Sequence, residues 1–175
     1  MEVRPAEPSD ADGVWRVLEP VVRSGETFAH DPATSGEDAT AAWMASGAGC
    51  FVAEEEGRIL GTYVLKANQQ GLGAHVANAS YAVHLDARGR GLGRALGEHS
   101  LAEARRLGFR AMQFNLVVST NEGAVALWRS LGFEVVGRLP GAFHLRGERY
   151  VDAYVMFRSL EKTDENVHEN REPDR

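Results

Sequence analysis

The segment YAVHLDARGRGLGRALGEHSLAEARRL, residues 81–107, reads as a strand, a tight basic turn rich in glycine, and an amphipathic helix. Gly89, Gly91 and Gly93 remove side chains where a ligand would approach the backbone. The turn leads directly into the helix, whose first N–H groups lack partners within the helix and lie at the positive end of its dipole. We therefore expect this turn to bind a phosphate or pyrophosphate group.

Three arginines accompany these glycines, and their guanidinium groups can pair with phosphate oxygens: Arg88, Arg90 and Arg94. Two common nucleotide-binding patterns do not fit. The glycines are spaced as Gly-x-Gly-x-Gly rather than Gly-x-Gly-x-x-Gly, and no Gly-Lys-Ser/Thr follows them as in a Walker loop. A surface turn with incidental arginines is the structural alternative to a pyrophosphate site.

Length and composition indicate one domain. The 175 residues, 43% of them hydrophobic, suit a single core, which we place in residues 1–160. Residues 161–175, EKTDENVHENREPDR, are predicted to be a disordered acidic tail because they contain one aliphatic residue. The formal charge of -6 argues against nucleic acid as a partner.

No apolar run approaches the roughly 20 residues that span a bilayer, and the N-terminus lacks the pattern of a signal peptide. We therefore expect a cytoplasmic protein with no membrane partner. The single cysteine, Cys50, cannot form an internal disulfide, and without clustered Cys or His it is a poor metal ligand. We interpret Cys50 as a buried strand residue, with a catalytic thiol as a remote alternative, and expect no metal.

The rest of the chain alternates between strand and helix patterns. The first half predicts a strand at 3–6, a helix from about residue 10, a polar loop at 23–36, a helix at 39–45, a hairpin of strands 49–54 and 59–66, and a strand at 75–84. The second half predicts a strand at 110–118, a helix that begins near Asn121 and ends at Gly132, and closing strands at 133–137 and 150–157, joined by a Gly/Pro/Arg-rich connection at 138–149.

The pattern Arg88-x-x-Gly91-x-Gly93 after a strand resembles the acetyl-CoA signature of the GCN5-related N-acetyltransferase (GNAT) family, in which the glycine turn holds the pyrophosphate of the cofactor. A second signature of that family, Asn-x-x-Ala followed by an aromatic residue and Leu-Gly-Phe, resembles residues 121–133. Two signatures at the expected separation are more specific than one, and the resemblance covers about residues 3–160.

This resemblance implies the GNAT fold, of class α/β (α+β). It has a mixed, mostly antiparallel sheet of about seven strands, splayed between strands 4 and 5, with about four flanking helices. It implies acetyl-CoA as cosubstrate, no metal, and an assembly such as the homodimer that relatives commonly form. The implied cofactor-binding residues are Val83, Leu85, Arg88, Gly89, Arg90, Gly91, Leu92, Gly93, Arg94, Asn121 and Trp128.

Shorter strings resemble a subfamily that acetylates L-azetidine-2-carboxylate, a toxic proline analogue, and that has phosphinothricin-type relatives. They are HVANA at 75–79, FNLV at 114–117, STN at 119–121, VGRLPG at 136–141 and YVDA at 150–153. The likeness implies that Asn78 lies beside the reacting amine and acetyl group, while Asn115 and Asn121 line the groove. It implies direct attack in a ternary complex by the amine of a small molecule, a free amino acid or toxic analogue, and a role in detoxification.

Acetyl transfer to an amine needs a deprotonated amine, a donor for the carbonyl oxygen, and a proton for the departing thiolate. Backbone N–H groups near Val83 and the amide of Asn78 are candidates for the donor. Asn78 also has a structural interpretation as a buried amide bonded to neighbouring backbone, and Asn121 has one as a helix cap. Trp128 stands where many relatives have a tyrosine acid, and its indole is no practical acid, which leaves Asn115 or a water.

No general base is obvious from the sequence, and an amine with a pKa of ~8 can lose its proton to a water chain. Four side chains are candidates for the base: Glu26, His75, His84 and Asp152. Three cations of the closing segment are candidates to bind a substrate carboxylate: Arg138, Arg146 and Arg149.

Two other functions fit the same pattern. The chain could acetylate a protein N-terminus or a lysine, although its acidity and the subfamily likeness favour a small substrate. Because Trp128 replaces the usual tyrosine, it could also be a non-catalytic sensor that binds acyl-CoA.

Overall fold

The computed structural model describes residues 1–161. All of the predicted acidic tail except Glu161 lies outside the described residues. The strands are β1 (Glu2–Pro5), β2 (Gly49–Glu55), β3 (Arg58–Ala67), β4 (Val76–Val83), β5 (Ala111–Val118), β6 (Glu134–Leu145) and β7 (Arg149–Ser159). The α-helices are α1 (Ala11–Ser24), α2 (Gly36–Met44), α3 (Leu92–Arg106) and α4 (Glu122–Ser130).

The strands form one seven-stranded sheet in the order β1-β2-β3-β4-β5-β7-β6. Neighbouring strands are antiparallel except β4 and β5, which are parallel. The connection between the two parallel strands contains the glycine turn and α3, as a parallel crossover requires. The predictions of a mixed, mostly antiparallel sheet and of four flanking helices are confirmed.

Hydrophobic cores lie on both faces of the sheet. On one face, α1 buries Val14, Val17 and Leu18 against residues of β2, β3 and β4. On the other face, α3 and α4 cover a larger core that includes Leu96 of α3 and Trp128 of α4. The central strands therefore pack against helices on both faces of the sheet.

The predicted signals set both ends of α4, whereas Asp10 at the start of α1 makes no side-chain cap hydrogen bond. The side-chain oxygen of Asn121 accepts a hydrogen bond from the Ala124 N–H, so Asn121 is the N-cap of α4. Gly132 follows the helix with φ +82°, a conformation that favours glycine. Gly25 ends α1 in the same way, with φ +61°.

The prediction of an irregular connection at 138–149 is wrong. Most of that segment belongs to β6, which pairs with β7 on both sides of a bulge between Leu139 and Phe143. Pro140 is tolerated because β6 is an edge strand and the bulge needs no donor from proline. The Gly141 N–H donates to the Asp152 carboxylate, which stabilises the bulge from β7.

An aromatic row crosses the sheet beneath α3. Tyr63 is fully buried and stacks on Phe51, and its hydroxyl lies 2.8 Å from Nδ1 of His99 on α3. Tyr81 continues the row to Trp128, with ring centroids 4.6 Å apart. The row ties the central strands to both helices of this face.

Cys50 is buried in β2, as predicted, and burial raises the pKa of its thiol. This environment disfavours the thiolate that a nucleophilic cysteine needs. Within residues 1–161 no helix combines the length and apolar character needed to cross a membrane.

We predict that a side chain at Gly97 separates α3 from α4. A Cβ there would lie 2.6 Å from Cδ1 of buried Leu131, whereas a Cβ at Gly123 of α4 has nothing within 4 Å. Gly97→Val should lower the free energy of unfolding in urea by about 2 kcal/mol, as overpacking does. The matched Gly123→Val should change it by less than about 0.5 kcal/mol, and equal effects would show that helix spacing is not the cause.

The His99 contact predicts a pH dependence of stability. Burial lowers the pKa of His99 from its ordinary 6.5, partly offset by the charge of Glu103. As the pH falls, His99 is therefore protonated at a higher pH in the unfolded chain than in the folded one. The stabilising effect of neutral His99 is complete above about pH 6.5 and falls as the pH drops below that value. Urea unfolding at pH 7 and 5 should show a smaller acid loss for His99→Gln than for the wild type, and identical losses would contradict the assignment.

Candidate active site

A gap opens in the sheet between β4 and β5. These strands pair at Val76 with Ala111 and at Ala77 with Met112, and at no later position. On its other side β4 remains paired with β3 as far as Val83, and β5 pairs with β7 through position 118. The predicted splay is therefore present, and each strand keeps one partner while its other edge is free.

The backbone groups along this free edge of β4 can be identified. The Asn68 N–H donates to the Val76 carbonyl, and the His84 N–H donates to the Leu60 carbonyl, so the even-numbered positions of β4 face β3. The odd-numbered positions face the gap. They include Ala79, Tyr81 and Val83. An extended ligand can pair with these groups as an added strand would. Val83, which the sequence predicted to bind the cofactor, has its backbone on this free edge.

Asn78 lies at the closed end of the gap, next to the last paired position. Its side-chain N–H donates to the backbone carbonyl of Gln113 at 2.9 Å and so bridges the two strands where their ladder stops. The side chain is partly buried. This contact is the structural role considered from the sequence, and it leaves the side-chain oxygen and the second amide hydrogen of Asn78 without a partner in residues 1–161.

The glycine turn presents bare backbone, as expected. Gly89 and Gly91 have φ of +75° and +81°, and a Cβ on either would meet nothing within 4 Å. Glycine is needed there for its conformation, and the space beside it is open to a ligand. The first main-chain bond within the helix joins the Ala95 N–H to the Gly91 carbonyl, so the three preceding N–H groups have no helical acceptor.

Those three N–H groups belong to Leu92, Gly93 and Arg94. The Leu92 side chain is buried in the core, so only its backbone can contact a ligand. Gly93 has a packing role that the sequence did not reveal, because a Cβ there would lie 3.2 Å from Cδ2 of Leu127 on α4. Glycine at this position lets α3 and α4 approach each other beside the turn.

The three arginines of the turn differ in their partners. Arg90 donates to the Glu55 carboxylate at 2.6 Å, and this bond holds the pKa of Glu55 below its usual range. Arg94 donates to the Ser130 hydroxyl at 2.7 Å and also contacts Glu98. Arg88 makes no side-chain bond to any other residue in 1–161. Of the three predicted phosphate ligands, Arg88 alone is uncommitted within the described chain.

The remaining predicted cofactor residues lie around the same opening. Leu85 begins the short turn after β4 and its side chain is 50% exposed. Asn121 uses its oxygen to cap α4, while its amide nitrogen has no partner within residues 1–161. Trp128 is 8% exposed and packs against Tyr81 and Phe114, so it serves first as a core residue.

Asn115 is exposed and belongs to a chain of side-chain amides. Its Oδ1 accepts from Nε2 of Gln113 at 2.9 Å, and its Nδ2 donates to Oδ1 of Asn68 at 2.7 Å. Neither Gln113 nor Asn68 was predicted from the sequence as a neighbour of Asn115. Gln113 could have been found from the two-residue period of a strand, which places it on the same face as Asn115. Asn68 could not, because its position depends on how β3 pairs with β4.

Most candidates for acid, base and carboxylate binding are paired with one another. Glu26 forms an ion pair with Arg146, and Asp152 forms one with Arg138. His75 lies 3.1 Å from the Leu72 carbonyl, and His84 caps the turn after β4 through Nδ1. Of the three proposed cations, Arg149 alone makes no side-chain bond within residues 1–161.

The ion pair between Arg146 and Glu26 also joins two connections that are far apart in the sequence. The Arg146 N–H donates to the Gly25 carbonyl at 2.9 Å, so the turn between β6 and β7 contacts the segment that follows α1. The structure therefore brings together Glu26, a candidate base, and Arg146, a candidate cation for a substrate carboxylate, and pairs them with each other.

These features fit a ligand with an extended arm and an anionic group. The free edge of β4 suits an amide-containing arm, and the N–H groups of 92–94 with Arg88 suit a pyrophosphate, which are the parts of coenzyme A. Among residues 1–161 no group of three or more His, Cys, Asp or Glu side chains could hold a metal ion.

Comparison with known proteins supports this interpretation. Residues 18–133 match the model of the acetyltransferase (GNAT) family. A GCN5-related N-acetyltransferase from Kribbella flavida is 44% identical, with a TM-score of 0.85 over 90% of this chain and 96% of that one. YncA from Salmonella typhimurium, solved with its cofactor acetyl-CoA, is 26% identical, with a TM-score of 0.82 over 99% of this chain and 98% of that one.

A curated relative, the N-acetyltransferase aca1 of Schizosaccharomyces pombe, is 39% identical over 107 residues, which are 59% of this chain and 51% of aca1. The chain thus matches about half the length of that relative. The match to the family model includes the glycine turn, the gap and α4, where the sequence had predicted the acetyl-CoA site. The chain therefore belongs to the acetyltransferase (GNAT) family, whose cosubstrate is acetyl-CoA.

Proposed function

We propose that this chain transfers an acetyl group from acetyl-CoA to the amine of a small molecule, and that the molecule is a free amino acid or a toxic analogue of one. The observation that carries the proposal is the gap beyond Ala77 and Met112, with the free backbone groups of β4 along one side and the glycine turn at its end. A small acceptor is supported by the strings shared with the azetidine-carboxylate subfamily. Detoxification is the physiological role that follows from such a substrate.

In this proposal the turn fixes the cofactor. The N–H groups of 92–94 and the uncommitted Arg88 hold the pyrophosphate, while the Val83 backbone pairs with the pantetheine arm. Asn121, the N-cap of α4, and Trp128, within α4, are proposed to lie beside the bound cofactor. The acetyl-CoA supplies the thioester, and the chain determines where its carbonyl lies.

Asn78 is proposed to act at the carbonyl oxygen. Its bond to Gln113 holds the side chain at the closed end of the gap, and its second amide hydrogen is available to an oxygen that gains charge as the amine attacks. A donor held in advance stabilises that charge without having to reorient. In this proposal the side chain of Asn78 both bridges β4 and β5 where their pairing ends and donates to the carbonyl oxygen of the substrate.

Proton transfers are proposed to involve water and Asn115. The ion pairs of Glu26 and Asp152 leave neither as a free base, so the amine loses its proton to water, as a pKa of ~8 permits. The indole of Trp128 cannot supply a proton to the thiolate. A water that exposed Asn115 holds by a hydrogen bond is the candidate to give its proton to the thiolate, and Arg149 is the candidate to bind an acceptor carboxylate.

The activity is tested by thiol release from acetyl-CoA with a panel of acceptors. The panel contains free amino acids, azetidine-2-carboxylate, phosphinothricin, a peptide with a free N-terminus and a lysine peptide, and mass spectrometry identifies the products. We expect acetylation of an amino acid or analogue. Turnover confined to the peptides would establish the protein acetyltransferase instead, and coenzyme A binding without thiol release would establish the sensor.

A paired substitution tests the cofactor site. Arg88→Gln should weaken coenzyme A binding by about five- to tenfold in calorimetry, because a charged partner of the pyrophosphate is lost. Arg106→Gln, at the far end of α3, removes the same charge and serves as the control. Equal affinities for the two variants, or no saturable binding by the wild type, would contradict the assignment.

Asn78→Ala tests the catalytic donor. We expect kcat to fall by about a hundredfold, corresponding to loss of one oriented donor, with the Kd for coenzyme A unchanged. Urea unfolding of the same variant measures the stability lost with the Asn78–Gln113 bond between the strands, and so separates that loss from the fall in kcat. Unchanged kcat would exclude Asn78 from the mechanism.

A further inference from the structure

The amide chain near the gap contains two side chains, those of Gln113 and Asn68, with no role in the mechanism described above. Gln113 donates from Nε2 to Oδ1 of Asn115 at 2.9 Å, and Asn115 donates from Nδ2 to Oδ1 of Asn68 at 2.7 Å. Asn68 follows β3, and the other two residues are on β5. The three side-chain amides therefore connect the end of β3 to β5, with β4 between them, on the face of the sheet opposite α3.

These two bonds fix the orientation of the Asn115 amide relative to the amides of Gln113 and Asn68. Rotating it by 180° would set its NH₂ against the NH₂ of Gln113 and its oxygen against the oxygen of Asn68, so both bonds would become repulsive. Because Asn115 is exposed, packing alone does not impose this restriction. Its neighbours do so through hydrogen bonds.

The chain also has a direction. Donation runs from Gln113 to Asn115 and on to Asn68, so the carbonyl of Asn115 is polarised by a donor while its nitrogen is bonded to an acceptor. Hydrogen bonds that run in one direction along a chain polarise and so strengthen one another. The second N–H of Asn115 remains available to a ligand or a water, in a fixed position.

Gln113 connects this chain to the closed end of the gap. Its backbone carbonyl accepts from Asn78, while its side chain donates to Asn115. One residue thus contacts both asparagines proposed to act on the substrates. A shift of Gln113 would move both amides together.

We propose that Gln113 and Asn68 are positioning residues that hold the Asn115 amide in its working orientation during acetyl transfer. The inference rests on the proposed function, since it needs Asn115 to act in the reaction. Neither residue is assigned contact with the substrates, and both act through Asn115.

The test uses substitutions that keep or remove one hydrogen-bonding direction. Asn68→Asp keeps the acceptor that Asn115 needs, and Asn68→Leu removes it. Gln113→Glu and Gln113→Met both remove the donor. We expect kcat/KM for the amine to remain within about threefold in Asn68→Asp and to fall about tenfold in the other three, as loss of one hydrogen bond predicts. Gln70→Glu, on the nearby exposed turn, controls for added charge.

A double-mutant cycle shows whether the effect passes through Asn115. In the Asn115→Leu background, the further substitutions Asn68→Leu and Gln113→Met should cost less than about twofold, because the amide they hold is gone. Full additivity would overturn the proposal. So would the reverse order of tolerance, with Gln113→Glu active and Asn68→Asp impaired.

A spectroscopic measurement keeps this result separate from the proposed function. The side-chain NH₂ signals of Asn115 in a ¹⁵N–¹H spectrum, assigned by their absence in Asn115→Leu, should move in Asn68→Leu and much less in Asn68→Asp. This holds even if the wild type releases no thiol with any acceptor, an outcome that would contradict the proposed function alone. Unmoved signals in Asn68→Leu would overturn the amide chain itself.

Discussion

The active-site region depends on how early the parallel pairing of β4 and β5 stops. Two paired positions hold the strands together at one end, and their other neighbours, β3 and β7, hold the outer edges apart beyond it. Free main-chain donors and acceptors are costly inside a protein unless water or a ligand satisfies them. The sheet tolerates them here because the gap is open, and it thereby retains an edge that can pair with an extended molecule.

The same arrangement links binding to chemistry. The glycine turn follows β4 after a single short turn, so the unpaired N–H groups at the start of α3 stand at a fixed distance from the free edge of that strand. Asn78 lies at the other end, where the strands close. A ligand that is held at the turn and pairs along β4 must direct its far end toward this asparagine. Close packing of α3 on α4 at Gly93 and Gly97 keeps the turn in place.

The sequence predicted the parts of the fold that follow from local patterns. The alternation of strand residues, the left-handed glycine at Gly132 and the polar cap at Asn121 each have a local cause, and all are present. The segment at 138–149 was predicted wrongly because Pro140 and the glycines indicate a turn locally. Whether they stand in a bulge depends on Asp152 of the neighbouring strand.

The sequence allowed the signature residues of the proposed site to be named, but not the side chains with which they form contacts. The signature residues of the turn could be named, but the sequence could not show that Arg90 pairs with Glu55, or that Glu26 and Arg146, 120 positions apart, pair with each other. Those contacts depend on strand order and register. Sequence spacing therefore predicted the glycine conformations and the unpaired N–H groups of the turn better than the partners of the charged side chains around them.

The contact between Gly25 and Arg146 joins two connections that lie outside the sheet ladder. Connections of this kind tolerate insertions and exchanges that strands do not. Both connections can therefore accumulate substitutions, insertions and deletions while the pairing of β4 with β3 and of β5 with β7 stays unchanged. Evolutionary drift at this contact is uncoupled from the geometry of the gap in such an architecture.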